Sequence, residues 1–214
     1  MVYLPESFDA SNPDIMQAII DRSPLAMMVT QGPDGLSADH IPLILEPNRG
    51  PHGTLIGHVA RKNDLWREGY HEGETLIVFH AIDAYISPNW YPTKGETHKA
   101  VPTWNYAVVH AYGPMVVHED EKWLRGVCGK LTRKMEAITS ERPWKMSDAP
   151  RDYIDGMLAD IVGIEIPITR IIGKTKASQN RLMIDREGAA AGLRAQGGPT
   201  SVAMAELIMD EASR

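Results

Sequence analysis

LAMMVTQGPDGLSADHIPLILE (25–46) decides the fold class. Two apolar, alternating runs flank a tight Gly32-Pro33-Asp34-Gly35, which reads as two strands joined by a turn. Toward the C-terminus, PNRGPHG (47–53) has turn chemistry and TLIGHVA (54–60) is the next strand, followed by RKNDLWREG (61–69), which predicts a short helix. TLIVFHAIDAYIS (75–87) is a long strand with Asp83 at a bend or bulge. VPTWNYAVVHAYGPMVVH (101–118) is strand-like and interrupted near Gly113-Pro114, and IVGIEIPITRIIG (161–173) returns to strand. Toward the N-terminus, Ser11 or Asn12 caps a helix with Pro13 at its first position and Ile15, Met16, Ile19 and Ile20 on one face, and Pro24 stops it.

Helical spacing also carries Trp123, Leu124, Val127, Leu131, Met135 and Ile138. MSDAPRDYIDGMLADI (146–161) predicts another helix, KTKASQN (174–180) a basic loop, and the tail from Arg181 is helical, broken at GGP (197–199). About six strands in consecutive, hairpin-like order predict a mainly β, α+β chain with flanking helices, and an antiparallel barrel rather than a parallel sheet. The division expected is a domain over 1–196 and a helical tail over 197–214.

The chain of 214 residues carries 22 Lys and Arg against 28 Asp and Glu, a net −6, a poor match for a protein that coats nucleic acid. Cys128 stands alone, which excludes an intrachain disulfide and a cysteine metal cage and suits a reducing compartment. MVYLPESFDA lacks the pattern of a signal peptide, and no apolar run approaches the ~20 residues of a membrane helix. A cytoplasmic protein without membrane contact is expected. No G-x-G-x-x-G, H-E-x-x-H or G-x-S-x-G occurs. Gly173-Lys174-Thr175 imitates the end of a P-loop, but the first glycine of that motif would fall at Ile168. The scattered histidines give no ligand-like spacing, so no metal is expected.

Three segments carry positive signals. In ARKNDLW (60–66), Arg61 and Lys62 stand where a strand passes into a helix, an arrangement suited to a phosphate; the alternative is two solvated charges. Tyr85, Trp90, Tyr91, Trp104 and Tyr106 crowd one stretch, either as walls for a planar ligand or as core. The loop rings Trp90 and Tyr91, between Pro88 and Pro92, are the harder to read as core. KTKASQN, between Arg170 and Arg181, can donate several hydrogen bonds to an anion or serve as a solvated turn. His40 and His58 read as structural imidazoles, His58 lying beside the basic pair. No two carboxylates suggest acid/base work, so no catalytic residue is assigned.

Together, YLPESF (3–8), ADHIPL (38–43), GHVARKNDLW (57–66), AYISPNWY (84–91), VPTWNY (101–106) and KTKASQNR (174–181) resemble the PaiB family of FMN-binding split-barrel proteins, described as negative transcriptional regulators. The resemblance runs from Tyr3 to about Leu193. It implies a six-stranded antiparallel split barrel and a homodimer with FMN at the subunit interface. It also implies Arg61 and Lys62 on the FMN phosphate, with His58 beside them. Ser87, Trp90, Trp104 and Asn105 are expected near the cofactor or the interface, joined by Lys174, Ser178 and Gln179 from the closing strand and loop. Ala177 is a small departure from the hydrophobic residue usual there, one expected to loosen local packing. The function implied is negative transcriptional regulation through flavin or ligand sensing, with DNA or a regulatory protein as the partner; the alternative is an FMN-dependent oxidoreductase passing hydride between NAD(P)H and a small acceptor. No helix-turn-helix supports direct DNA binding.

Overall fold

The computed structural model describes residues 2–212. Eight strands form one sheet: β1 (Leu25–Gly32), β2 (Gly35–Glu46), β3 (Thr54–Ala60), β4 (Thr75–Ile86), β5 (Thr103–Gly113), β6 (Val116–His118), β7 (Ile161–Pro167) and β8 (Arg170–Lys176). Hydrogen-bonded neighbours follow the order β6-β7-β3-β2-β1-β4-β5-β8. The pairs β1–β2, β1–β4, β2–β3, β3–β7 and β6–β7 are antiparallel. The helices are α1 (Pro13–Arg22), α2 (Lys94–Thr97), α3 (Glu121–Thr139), α4 (Arg151–Ala159), α5 (Met183–Gln196) and α6 (Pro199–Asp210). The chain divides into two compact units, one of residues 1–22, 80–109 and 172–214, the other of 23–79 and 110–171.

In the second unit the β1–β2 hairpin runs in register from Leu25↔Pro42 to Gly32↔Gly35 around Pro33-Asp34, with Gly35 at φ +108°, a conformation that favours glycine. β1 alternates, burying Ala26, Met28 and Thr30 and exposing Leu25 and Met27. β3 and β7 are buried along nearly their whole length. Part of that cover is α3: Val127 and Leu131 pack with Ile44 of β2 and Ile56 of β3. The Asp120 carboxylate caps α3 by accepting from Trp123 N at 2.8 Å. Leu124 of α3 packs in turn with Ile154 and Leu158 of α4. The predicted stripe on α3 outruns the layer it covers, since Ile138 is 82% exposed.

In the first unit one core joins β4, α5 and α6 through Ala84, Ile86, Tyr91, Ala189, Leu193, Met204 and Ile208. The stretch from 197 onward therefore packs as part of this unit; residues 213–214 of the expected tail, like Met1 of the expected domain, lie outside the described residues. The N-terminal segment lies along β8, with Ala10 N donating to Gly173 O at 3.2 Å and a bridge between Asp9 and Lys174.

The strand count corrects the expectation of six. Gly113-Pro114 separates β5 from β6, because proline has no N–H to continue the ladder. The 161–173 segment parts at Ile168-Thr169 into β7 and β8, and β8 absorbs Lys174, Thr175 and Lys176, which had read as loop. The helix expected over 61–69 is a single 3₁₀ turn, Asp64–Trp66: Asn63 caps Leu65 N at 2.9 Å, and Gly69 at φ +86° follows. No helix of the described residues is long and apolar enough to cross a membrane.

The two glycines facing and on α3 make opposite predictions. A Cβ on Gly163 of β7 would overlap the Trp123 ring, whereas Gly126, inside α3, has open space around it. Gly163→Ala should destabilise by about 1–3 kcal/mol, and Gly126→Ala should stabilise by about 0.5–1 kcal/mol, read as Tm shifts of opposite sign.

Candidate functional site

In the second unit, His58 sits on β3 with Nδ1 3.8 Å from Cys128 Sγ. Burial lowers the imidazole pKa and raises the thiol pKa, so both are neutral near pH 7. Arg61 follows the strand and turns inward: Nε donates to Ala159 O at 2.8 Å, Nη2 to Ile161 O at 3.1 Å and Nη1 to Glu119 at 2.6 Å. Arg61 O accepts from the Trp66 indole at 3.0 Å. The guanidinium thus ties the end of β3 to the junction of α4 and β7. Lys62 is exposed and has no ion-pair or hydrogen-bond partner among the described residues. A three-residue 3₁₀ turn supplies no helix macrodipole to assist the pair.

The remaining candidates belong to the first unit. Ser87 caps the 3₁₀ turn Pro88–Trp90, its Oγ accepting from Asn89 N at 3.2 Å. Trp90 rests on α5, where a Cβ on Gly192 would overlap its ring and one on Gly188 its carbonyl oxygen. The buried Asp185 carboxylate pins the same loop, accepting from Thr93 N at 3.1 Å and Thr93 Oγ1 at 2.7 Å. Tyr91 is a core residue, and the Arg181 guanidinium lies 4.9 Å from its ring centroid. The loop rings are therefore packed. Within the aromatic cluster of residues 85–106 the exposed rings are Tyr85 and Trp104, edge to face at 6.0 Å.

On β5, Asn105 is fully buried; its Nδ2 donates to Ser178 Oγ at 2.9 Å and its Oδ1 has no partner among the described residues. Ser178 takes φ +62°, which a non-glycine residue holds only when its surroundings impose it. They do so here: Gln179 Oε1 accepts from Ala177 N at 2.6 Å, Gln179 Nε2 donates to Thr175 O at 2.8 Å, and Arg186 donates to Gln179 O. Ala177 itself is fully buried, its small side chain in the core.

Beside this loop are two lysines. Lys174 is 8% exposed, with Nζ donating to Tyr3 O at 2.7 Å and lying 5.4 Å from the Tyr106 ring centroid. Lys176 donates to Thr103 Oγ1. Burial lowers the Lys176 pKa; the positive charges of Lys174 and Arg181 push the same way, against Tyr106. Neither lysine has a carboxylate partner among the described residues. Thr103 and Asp185 carry no signal in the sequence, and Lys176 stands out there only as one charge of a basic patch, not as a cofactor contact. Lys176 reads locally as part of a turn, and nothing near residue 93 marks Asp185, 92 positions away. The two glycines of REGAAAG (186–192), four apart on one helix face, are the signal that a bulky ring docks there. No group of three or more metal-binding side chains occurs among the described residues.

The family described as "Putative FMN-binding domain" matches residues 2–170. An uncharacterised protein of Aspergillus fumigatus is 31% identical over 240 residues, 92% of each chain. The protease synthase and sporulation protein PAI 2 of Bacillus subtilis is 28% identical over 98% of each chain. Among solved structures, the FAD and heme binding protein of Mycobacterium smegmatis superposes with a TM-score of 0.53 at 15% identity, covering 80% of this chain and 74% of that one, a likeness of fold. Lys174, Lys176, Ser178 and Gln179 lie past the family match but within the length shared with the Bacillus protein.

Because the His58 pKa is lowered on folding, the unfolded chain binds this proton more tightly. Its contribution therefore destabilises as pH falls through the ordinary imidazole range and levels off below the folded-state value. A His58→Gln variant should lose less stability than the parent between about pH 7 and 5, by at most about 1.4 kcal/mol per pH unit, measured by urea denaturation.

Proposed function

The chain belongs to the family of PaiB-type FMN-binding proteins, and on that premise we propose that it binds FMN, with Lys174 and Lys176 holding the phosphate. The observation that carries this reading is the pair of lysines without a carboxylate, one of them 8% exposed. Partly desolvated ammonium groups that face only neutral oxygens and aromatic faces are completed by an anion. Tyr85 and Trp104 offer exposed faces for an aromatic ring. Arg61 has its guanidinium engaged by two carbonyls and Glu119, so its part in the proposal is to hold β3 in place. Lys62 stays a free point charge.

Bound FMN supplies electron transfer, while the protein supplies binding and electrostatics. Asn105 and Gln179 fix the course of the chain after Lys176, and Asp185 with the α5 glycines fixes the loop bearing Trp90. The proposed assembly is a homodimer. Leu25 and Met27 are exposed on β1, and the register sets Pro42 of β2 and Val78 of β4 on the same face. A second copy covering that face would remove apolar surface from water. Met27→Lys should then shift the light-scattering mass from dimer to monomer. For the biological role, the proposal is lowered transcription through flavin or ligand sensing, as the resemblance to the PaiB family implies.

Comparing FMN with riboflavin isolates the phosphate. Flavin-stripped protein titrated by fluorescence quenching should prefer FMN. Lys174→Gln with Lys176→Gln should reduce that preference by about tenfold or more, leaving riboflavin affinity nearly unchanged. Arg61→Gln should lower stability and keep the preference. An unchanged preference in the double-lysine variant would refute the assignment.

A further inference from the structure

The first unit contains a groove of about 300 Å³ between α1 and α6 that none of the candidate residues above lines. Its floor is apolar: Ile15 from α1, Ile82 from β4, Ala107 from β5 and Leu207 from α6. Its rim is acidic, with Asp14 on one side and Glu206, Asp210 and Glu211 on the other, against the single cation Arg22. Asp14, Glu206 and Asp210 are exposed, and none of their carboxylates has a hydrogen bond or ion pair among the described residues.

The helix that bears this rim adds to the negative potential. Glu206 and Asp210 are four residues apart on α6, where like charges repel. Asp210 stands at the C-terminal end, where unpaired carbonyls already make the helix negative. The last turn contains no basic residue to offset them. An apolar floor beside the unpaired Asp14, Glu206 and Asp210 carboxylates is complementary to one kind of occupant, an apolar body with a positive head.

We propose that the α1–α6 groove binds a protonated primary amine carrying a short hydrocarbon chain. The ammonium meets the Glu206 and Asp210 carboxylates, and the chain lies along Ile15, Ile82 and Leu207. A carboxylate of the same length is repelled by the rim, and an alcohol of that length gains only the apolar contact. The site requires no flavin, so its failure and that of the FMN reading are separate results.

The test uses hexan-1-amine, hexan-1-ol and hexanoate at pH 7 with the full chain, followed by methyl NMR shifts and light scattering. Hexan-1-amine should saturate with shifts at Ile15, Ile82 and Leu207, the alcohol should bind more weakly, and hexanoate should not bind. Glu206→Gln with Asp210→Asn, both exposed and safe for folding, should weaken the amine about fivefold. Ala203→Trp should block it by filling the groove. No saturable shift, equal binding of amine and alcohol, or an affinity untouched by the two neutralised carboxylates would overturn the proposal. So would a doubled mass lost on Ala203→Trp, which would give the groove to a second copy of the chain.

Discussion

Strand β8 carries Lys174 to 8% exposure and gives its ammonium a backbone carbonyl and two aromatic faces, with no carboxylate among the described residues. Desolvating a cation without a counter-charge is costly, and the surrounding packing must hold it there. That packing is visible on each flank of the strand. The N-terminal segment pairs with it at Asp9 and Ala10, and Tyr3 O receives the ammonium itself. Beyond Lys176 the chain turns at once through Ser178 in a left-handed conformation, braced by Asn105, Gln179 and Arg186. A rigid strand end with two uncompensated positive charges is suited to an anionic ligand.

The second unit solves a different problem. Its central strands β3 and β7 are buried along nearly their whole length and need cover, which α3 supplies in part and α4 extends. Arg61 closes the seam by bonding the carbonyls of Ala159 and Ile161. An arginine beside a strand end can therefore satisfy backbone carbonyls as fully as it could a phosphate, and residue type alone does not separate the two roles.

Much of the fold was legible because it rests on local chemistry. Gly32-Pro33-Asp34-Gly35 imposes the hairpin, and Asn12 does cap α1, accepting from Asp14 N at 2.9 Å. What was not legible depends on contacts distant in sequence. Lys174-Thr175-Lys176 resembles a solvated turn until β8 enters the sheet beside β5. The aromatic cluster divided the other way from its local reading. Tyr91 is core and Trp90 is packed because Gly188 and Gly192, about a hundred residues on, provide the seat, leaving Trp104 and Tyr85 exposed. The resemblance to an FMN-binding family brought Lys174, Ser178 and Gln179 forward, but it could not say which side chains are already engaged within the chain.

A crystal structure of the protein with FMN bound would show directly which cations hold the phosphate. The phosphate is expected within about 3 Å of the Lys174 and Lys176 ammonium groups, with Arg61 still on Ala159, Ile161 and Glu119. A phosphate seated on Arg61 and Lys62, with both lysines still on Tyr3 and Thr103, would contradict that expectation.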